Sequence, residues 1–110
     1  MADSNLPPVI VVLCTVPRED IAADLARMLV ERRLAACVNV VPGLRSFYRW
    51  QGETQDDREA LLVIKTRRDL FDDLARTLAG EHPYDVPEVV ALPVDDCHRP
   101  YWEWLVESVG

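Results

Sequence analysis

The amino-acid sequence predicts a protein of the α+β class with one domain. Its 110 residues leave room for one hydrophobic core, and a chain with 49% hydrophobic and 28% charged residues has an ordinary globular composition. Segments with the periodicity of strands alternate with segments that have the periodicity of helices. We expect a flexible N-terminal tail over residues 1–8 and a single folded domain over residues 9–110.

The first strand and the first helix have clear signatures. Residues 9–15 are apolar and rich in β-branched side chains, and they are apolar on both faces, as in a central strand covered on both sides. Pro17 suits the first turn of a helix, and apolar residues then recur at helical spacing as far as Leu29. Arg32 and Arg33 follow where the helix dipole favours positive charge. This part of the chain therefore predicts a strand followed by a helix.

The next segment predicts a hairpin. Residues 36–41 and 46–50 have strand composition, and the Pro-Gly pair between them indicates a bulge or a bend. The polar residues 51–57 predict the turn, and residues 59–65 predict the returning strand.

The last third completes the fold. Thr66 is placed to cap a second helix, and Gly80 is placed to end it. Residues 88–92 predict a fourth strand, and Pro100 can open a C-terminal helix. The order is βαββαβ with an added C-terminal helix, which is typical of a ferredoxin-like fold with an antiparallel four-stranded sheet.

The same pattern predicts self-association. Two helices can cover only one face of this sheet, yet the first strand is apolar on both faces, and Phe47, Tyr48 and Trp50 add further apolar surface. Soluble monomers rarely expose so large a patch. We therefore expect a homo-oligomer.

Charge and motif content argue against several classes of function. A net charge of −7 disfavours nucleic acid as a partner, and the longest apolar run, residues 9–16, is too short to span a membrane. Residues 1–5 contain no basic residue, which predicts an unprocessed cytoplasmic chain. Three cysteines without CxxC spacing indicate free thiols. Because no nucleophile, metalloprotease, phosphate-loop or dinucleotide motif occurs, we expect no enzymatic activity.

Four stretches, in their order and spacing, resemble the CutA divalent-cation tolerance family. They are VLCTVP (12–17), RLAACVN (33–39), SFYRWQG (46–52) and HPYDVPE (82–88). The resemblance implies a ferredoxin-like fold, a tight homotrimer and a role in tolerance of divalent metals, copper above all. The chain departs from the family pattern at residues 95–98, where Cys97 and His98 stand next to each other.

The resemblance also implies candidate metal ligands, which are Cys14, Cys37, His82 and Glu59. Copper(I) prefers thiolates, whereas copper(II) and zinc accept imidazole and carboxylate. None of the four has local ligand spacing, so the fold must assemble the site. A simpler interpretation stands beside each ligand role: the cysteines pack in the core, the His82 ring bonds a backbone carbonyl, and Glu59 is a solvated charge.

The aromatic residues fit an interface or a cleft between subunits, and they are Tyr48, Trp50, Tyr84, Tyr101 and Trp104. A second hypothesis follows from that cleft. A trimer of ferredoxin-like domains resembles the PII signal proteins, which bind small ligands between subunits. The candidates for binding an anionic ligand are Arg45, Arg49, Arg67 and Arg68. A third hypothesis is a scaffold whose partner is another protein.

Overall fold

The computed structural model describes residues 6–110 and confirms the α+β class and the βαββαβ order with its added C-terminal helix. A short 3-10 turn, Arg68–Leu70, precedes the second α-helix. The strands and helices are β1 Val9–Val16, α1 Glu19–Glu31, β2 Cys37–Trp50, β3 Glu53–Arg67, α2 Phe71–Glu81, β4 Val90–Pro93 and α3 Arg99–Glu107.

The four strands form one antiparallel sheet in the order β2-β3-β1-β4. Alternate residues of a strand point to opposite faces, and directly paired residues share a face. One face of the sheet packs against α1 and α2, and the buried core lies between them; its larger residues are Ile10, Val12, Val16, Leu25, Leu29, Leu62, Ile64, Leu74 and Leu78. The ferredoxin-like arrangement predicted from the element order is therefore present.

The face turned away from α1 and α2 is called the open face here. Val11 and Leu13 of β1 lie on it and are half-buried, although they belong to a central strand. Val90 and Leu92, which pair with them from β4, are 47% and 46% exposed. The prediction that β1 is apolar on both faces is therefore correct, and one of those faces has no helical cover from α1 or α2.

The β2–β3 hairpin is longer than the sequence predicts. The expected polar turn over residues 51–57 is wrong, because only Gln51 and Gly52 form the turn and β3 begins at Glu53. Both turn residues have positive φ, 50° and 82°, as a two-residue hairpin turn requires. The predicted bulge is confirmed: the β2–β3 register shifts between Val41 and Leu44, and Gly43 there has φ 76°.

Other boundaries also differ from the prediction. Thr66 does not cap α2; it is a fully buried residue of β3 whose hydroxyl donates to the Leu34 carbonyl at 2.6 Å. Gly80 does not end α2, which continues to Glu81. The fourth strand begins at Val90 rather than residue 88. A polar side chain at a strand end can resemble a helix cap in sequence, because only the tertiary partner separates the two roles.

The N-terminal end of the described chain contacts α3 and the start of the 3-10 turn. Of the predicted tail, residues 1–5 lie outside the described residues. The Pro7 carbonyl accepts a hydrogen bond from the Trp102 indole at 2.9 Å, and the Pro8 carbonyl accepts one from the Arg68 amide at 2.9 Å. Pro100 lies in the first turn of α3, as predicted. Within residues 6–110, no helix has the length and apolar content needed to cross a membrane.

Candidate functional site

Two tyrosine–carboxylate pairs lie side by side near the hairpin. The Tyr84 hydroxyl donates to Glu59 Oε2 at 2.7 Å, and the Tyr48 hydroxyl donates to Asp57 Oδ2. Burial and then the Glu59 carboxylate raise the pKa of Tyr84, with smaller contributions from Tyr48 and Asp57. The hydrogen bond to Asp57 raises the pKa of Tyr48, and Glu59 adds to that increase. The four groups therefore form one electrostatically coupled cluster.

Glu59 is the buried member of this cluster. The residue is only 9% exposed, so the expectation that it is a solvated surface charge is wrong. Its side chain receives one hydrogen bond, from Tyr84, and no cationic group within residues 6–110 pairs with it. Glu59 is thus a buried carboxylate with no positively charged partner in the described part of the chain.

His82 has both of its ring nitrogens engaged. Nδ1 accepts a hydrogen bond from the Tyr84 amide at 3.0 Å, which places the ring proton on Nε2, and Nε2 donates to the Thr15 carbonyl at 2.8 Å. The residue is 8% exposed, and its ring contacts that of Tyr84 with centroids 4.9 Å apart. His82 therefore fixes the loop that carries Tyr84 onto the end of β1, and a metal at either nitrogen would displace one of these bonds.

Cys14 lies in the core between the sheet and the helices. It has no exposed surface, and burial raises the pKa of its thiol to about 12, helped by the nearby charges of Glu88 and Glu59. A buried thiol of this kind is protonated at neutral pH and does not act as a nucleophile. Core packing is thus the role that the surroundings of Cys14 favour.

Cys37 lies on the other face of the sheet. It pairs with Lys65 of β3, which pairs in turn with Val11 of β1, whereas Cys14 pairs with Leu62. Cys37 therefore belongs to the open face and Cys14 to the helix-covered face, so the two thiols of one subunit cannot hold the same ion. The Cys37 Sγ contacts Asn39 Oδ1 at 3.9 Å.

The four predicted ligands are thus only partly brought together. Cys14 and Glu59 are close enough to interact electrostatically, and the loop that carries His82 and Tyr84 joins Glu59 to the strand that contains Cys14. Cys37 stands apart. Within the described part of the chain, no three His, Cys, Asp or Glu side chains are grouped so that they could hold a metal ion.

The aromatic residues fall into two groups. Tyr48 and Trp50, 40% and 54% exposed, lie near the tip of the hairpin, with Tyr84 beside them. Tyr101 and Trp104 lie on α3 with ring centroids 5.4 Å apart and are 39% and 47% exposed. Burial, and then the charges of Cys37 and Cys97, raise the pKa of Tyr101. The second group therefore lies within electrostatic range of Cys37, at the start of β2.

Most of the predicted anion-binding arginines are already occupied. Arg45 forms a two-bond ion pair with Asp56, and Arg67 forms one with Asp69. Arg49 reaches the Gly52 carbonyl at 3.5 Å. Arg68 is exposed. These four residues do not converge on one site within the subunit.

Two features of the site were not predicted. Asp57 belongs to the predicted turn over residues 51–57, and Lys65 is not among the candidate site residues. The Lys65 ammonium group donates to Asn39 Oδ1 on the open face. One signal for Lys65 was available, because it is the single lysine of the chain.

Cys97 is half-buried, and burial and then Asp96 raise the pKa of its thiol; His98 beside it is exposed.

Comparison with known proteins gives a consistent result over almost the whole chain. A family model described as CutA1 divalent ion tolerance protein matches residues 10–108. The divalent-cation tolerance protein CutA of Thermus thermophilus is 54% identical over 100 residues, which cover 91% of this chain and 97% of that protein. The chloroplastic protein CutA of Arabidopsis thaliana is 48% identical over 105 residues, 96% of this chain and 58% of that longer protein.

Solved structures agree with the sequence comparison. The crystal structure of CutA1 from Oryza sativa superposes with a TM-score of 0.94 at 47% identity and covers 97% of this chain and 98% of that one. The Thermus thermophilus structure gives a TM-score of 0.91 at 53% identity, covering 93% of this chain and 99% of that one. The sequence resemblance is thereby confirmed. The chain belongs to the CutA1 divalent ion tolerance protein family.

Proposed function

We propose that this CutA1 family member binds copper or a similar divalent metal ion and takes part in the response to such metals. The observation that carries the proposal is Glu59, a carboxylate with 9% exposure and no cationic partner within residues 6–110. Burying an ionised carboxylate without a positive charge is costly, and a bound cation would offset that cost. Asp57 lies in the same cluster, and carboxylate oxygens are ligands that copper(II) and zinc accept.

The metal would be held between subunits of a homotrimer. Residues 6–110 of one subunit offer too few grouped ligands, and both nitrogens of His82 already form hydrogen bonds. Self-association is supported by the open face, where Val90 and Leu92 are about half exposed, and by Trp50 at the hairpin tip, which is 54% exposed. Large exposed apolar surfaces of this kind mark interaction sites in soluble proteins. A neighbouring copy would both cover the open face and supply the missing ligands.

The role proposed is binding rather than catalysis. The sequence has no recognisable catalytic motif, and the buried Cys14 thiol, with its pKa raised to about 12, is unsuited to nucleophilic attack. Copper(I) held by Cys14 and Cys37 together would need thiols from different subunits, because the two residues of one chain lie on opposite faces of the sheet. The oxygen donors around Glu59 favour copper(II) or another divalent ion instead of copper(I).

The decisive experiment measures copper(II) affinity by calorimetry against a competing chelator of known strength. Glu59→Gln keeps the size of the side chain and removes its charge, and we expect it to lower the affinity about tenfold or more. Glu53→Gln is the matched control, since Glu53 lies exposed in the same strand and should leave the affinity unchanged. Equal affinities for wild type and Glu59→Gln would contradict the proposal, as would binding abolished only by Cys97→Ser with His98→Ala.

Two further measurements test the remaining parts. Anaerobic competition for copper(I) with Cys14→Ser and Cys37→Ser establishes whether the thiols bind the reduced ion. Light scattering should give a mass three times that of one chain, and the unfolding midpoint should fall on dilution, because folding and association are coupled. A monomer mass, with a midpoint unchanged over about a hundredfold dilution, would overturn the trimer.

A further inference from the structure

The single lysine of the chain occupies an unusual position. Lys65 lies on the open face near the end of β3, directly between Val11 of β1 and Cys37 of β2 in the register of the sheet. Its side chain is half-buried, and Val63 precedes it on the same face. Electrostatic interactions are stronger in such partly apolar surroundings than in bulk water. The ammonium group is therefore placed where a counter-ion would matter.

The described part of the chain places no such counter-ion beside Lys65. The Lys65 ammonium donates to the amide oxygen of Asn39, and no carboxylate within residues 6–110 pairs with it. The chain nevertheless contains 19 acidic residues, and within residues 6–110 five arginines are paired with carboxylates. Those pairs are Arg18–Asp20, Arg45–Asp56, Arg67–Asp69, Arg76–Asp73 and Arg99–Glu103. Within these residues the carboxylates thus pair with arginines, four of them exposed and one, Arg67, half-buried, and none pairs with Lys65.

The groups around Lys65 are chiefly donors. Because the Asn39 oxygen is occupied by the lysine and contacted by the Cys37 thiol at 3.9 Å, the Asn39 amide NH₂ remains available to donate. The phenol of Tyr101 lies within electrostatic range of Cys37. An ammonium group with an adjacent amide NH₂ matches the two oxygens and the single negative charge of a carboxylate. It does not suit a metal cation, which the ammonium charge would repel.

We propose that Lys65 and Asn39 on the open face form a binding site for a carboxylate group. The carboxylate has two possible sources, a small organic acid in solution or an acidic side chain of a second copy of the chain. The second source rests on the proposed self-association, whereas the first is independent of it. Neither source depends on metal binding at Glu59.

A single lysine makes the site directly observable. Reductive methylation with ¹³C-formaldehyde labels only Lys65 and the terminal amine, and both keep their charge. Sodium acetate is then added to the intact protein, with sodium chloride at equal ionic strength as the control. A solution source predicts a saturable shift of the Lys65 methyl signal with acetate, none with chloride, and no change at the terminal amine. Asn39→Ala should weaken this response about tenfold.

The other source gives a different result. If a second copy supplies the carboxylate, the Lys65 signal does not respond to acetate in concentrated protein, and it shifts when dilution dissociates the assembly. Lys65→Met should then weaken association about tenfold, while Lys65→Arg, which keeps the positive charge, should retain it. A Lys65 signal that ignores both acetate and dilution, together with wild-type association of Lys65→Met, would overturn the proposal. If the protein is monomeric at every concentration, the proposed trimer is wrong. The acetate titration then tests the carboxylate site by itself.

Discussion

Removing the Tyr84 hydroxyl tests whether the buried Glu59 carboxylate depends on the hydrogen bond that Tyr84 donates to it. The bond from Tyr84 to Glu59 is 2.7 Å long, and Glu59 is 9% exposed, so water can replace the lost donor only poorly. Hydrogen bonds to charged groups contribute about 1.5–3 kcal/mol to stability. We expect Tyr84→Phe to lower the free energy of unfolding by about this amount, measured by urea unfolding at one fixed protein concentration.

A second background isolates the effect of the charge. With Glu59→Gln the acceptor is neutral, and the same Tyr84→Phe change should then cost about 0.5–1.5 kcal/mol. The difference between the two backgrounds is the coupling between hydroxyl and carboxylate. If Tyr84→Phe costs less than about 0.5 kcal/mol in both backgrounds, Glu59 does not rely on this bond and the reasoning fails.

The pH dependence supplies an independent check on the same bond. Because the pKa of Tyr84 is raised in the folded protein, its stabilising contribution is fully present below the ordinary tyrosine pKa of about 10. That contribution is lost as the pH rises above about 10 towards the higher folded value. The stability difference between wild type and Tyr84→Phe should therefore shrink in alkali. A difference that grows above this pH would contradict the assignment.

Three other predictions follow from single residues. Because Cys14 is buried, thiol reagents should not label it in the folded protein. Cys14→Ser should therefore leave the number of thiols labelled in the folded protein unchanged and lower the number labelled in denaturant by one. A lower number in the folded protein would refute the burial of Cys14. Thr66→Val should lower the free energy of unfolding in urea by about 1–3 kcal/mol, because the Leu34 carbonyl loses its hydrogen-bond donor. Thr66→Ser keeps the hydroxyl and should lower the stability less. Equal losses for the two variants would exclude the hydrogen bond. Gly52→Ala should destabilise the protein by about 1 kcal/mol, because the φ of 82° at this position disfavours a residue with a side chain. Gly80→Ala should stabilise it by about 0.5–1 kcal/mol, because Gly80 lies within α2, where alanine is the better helix former. Stability changes of the same sign would contradict this contrast.

The sequence was sufficient for the order of the elements and for the two-sided apolar character of β1. It was insufficient where a segment is polar and exposed. The polar residues 53–57 predict a turn rather than a strand, because a hairpin in solvent needs no alternation of apolar side chains and its strands are held by backbone pairing instead. The real turn was marked only by Gly52, whose positive φ follows from the two-residue connection.

The candidate site was less predictable, because it depends on register. Cys14 and Cys37 look equivalent in sequence, each being a cysteine in an apolar strand. Which face each one occupies follows from its pairing across β3, with Leu62 for Cys14 and with Lys65 for Cys37. A shift of one residue in either pairing would reverse the outcome. The burial of Glu59 likewise depends on the loop that carries Tyr84, some 25 residues away in the chain.

The central position of β1 also has a consequence for synthesis on the ribosome. The strand Val9–Val16 leaves the ribosome before both of its partners, which are β3, ending at Arg67, and β4, ending at Pro93. This apolar strand must therefore remain unpaired on both edges until β3, some 50 residues further along the chain, has been made. Unpaired apolar strands are prone to aggregate during this interval. The yield of soluble protein should then depend on translation rate and chaperone access as well as on the stability of the finished fold.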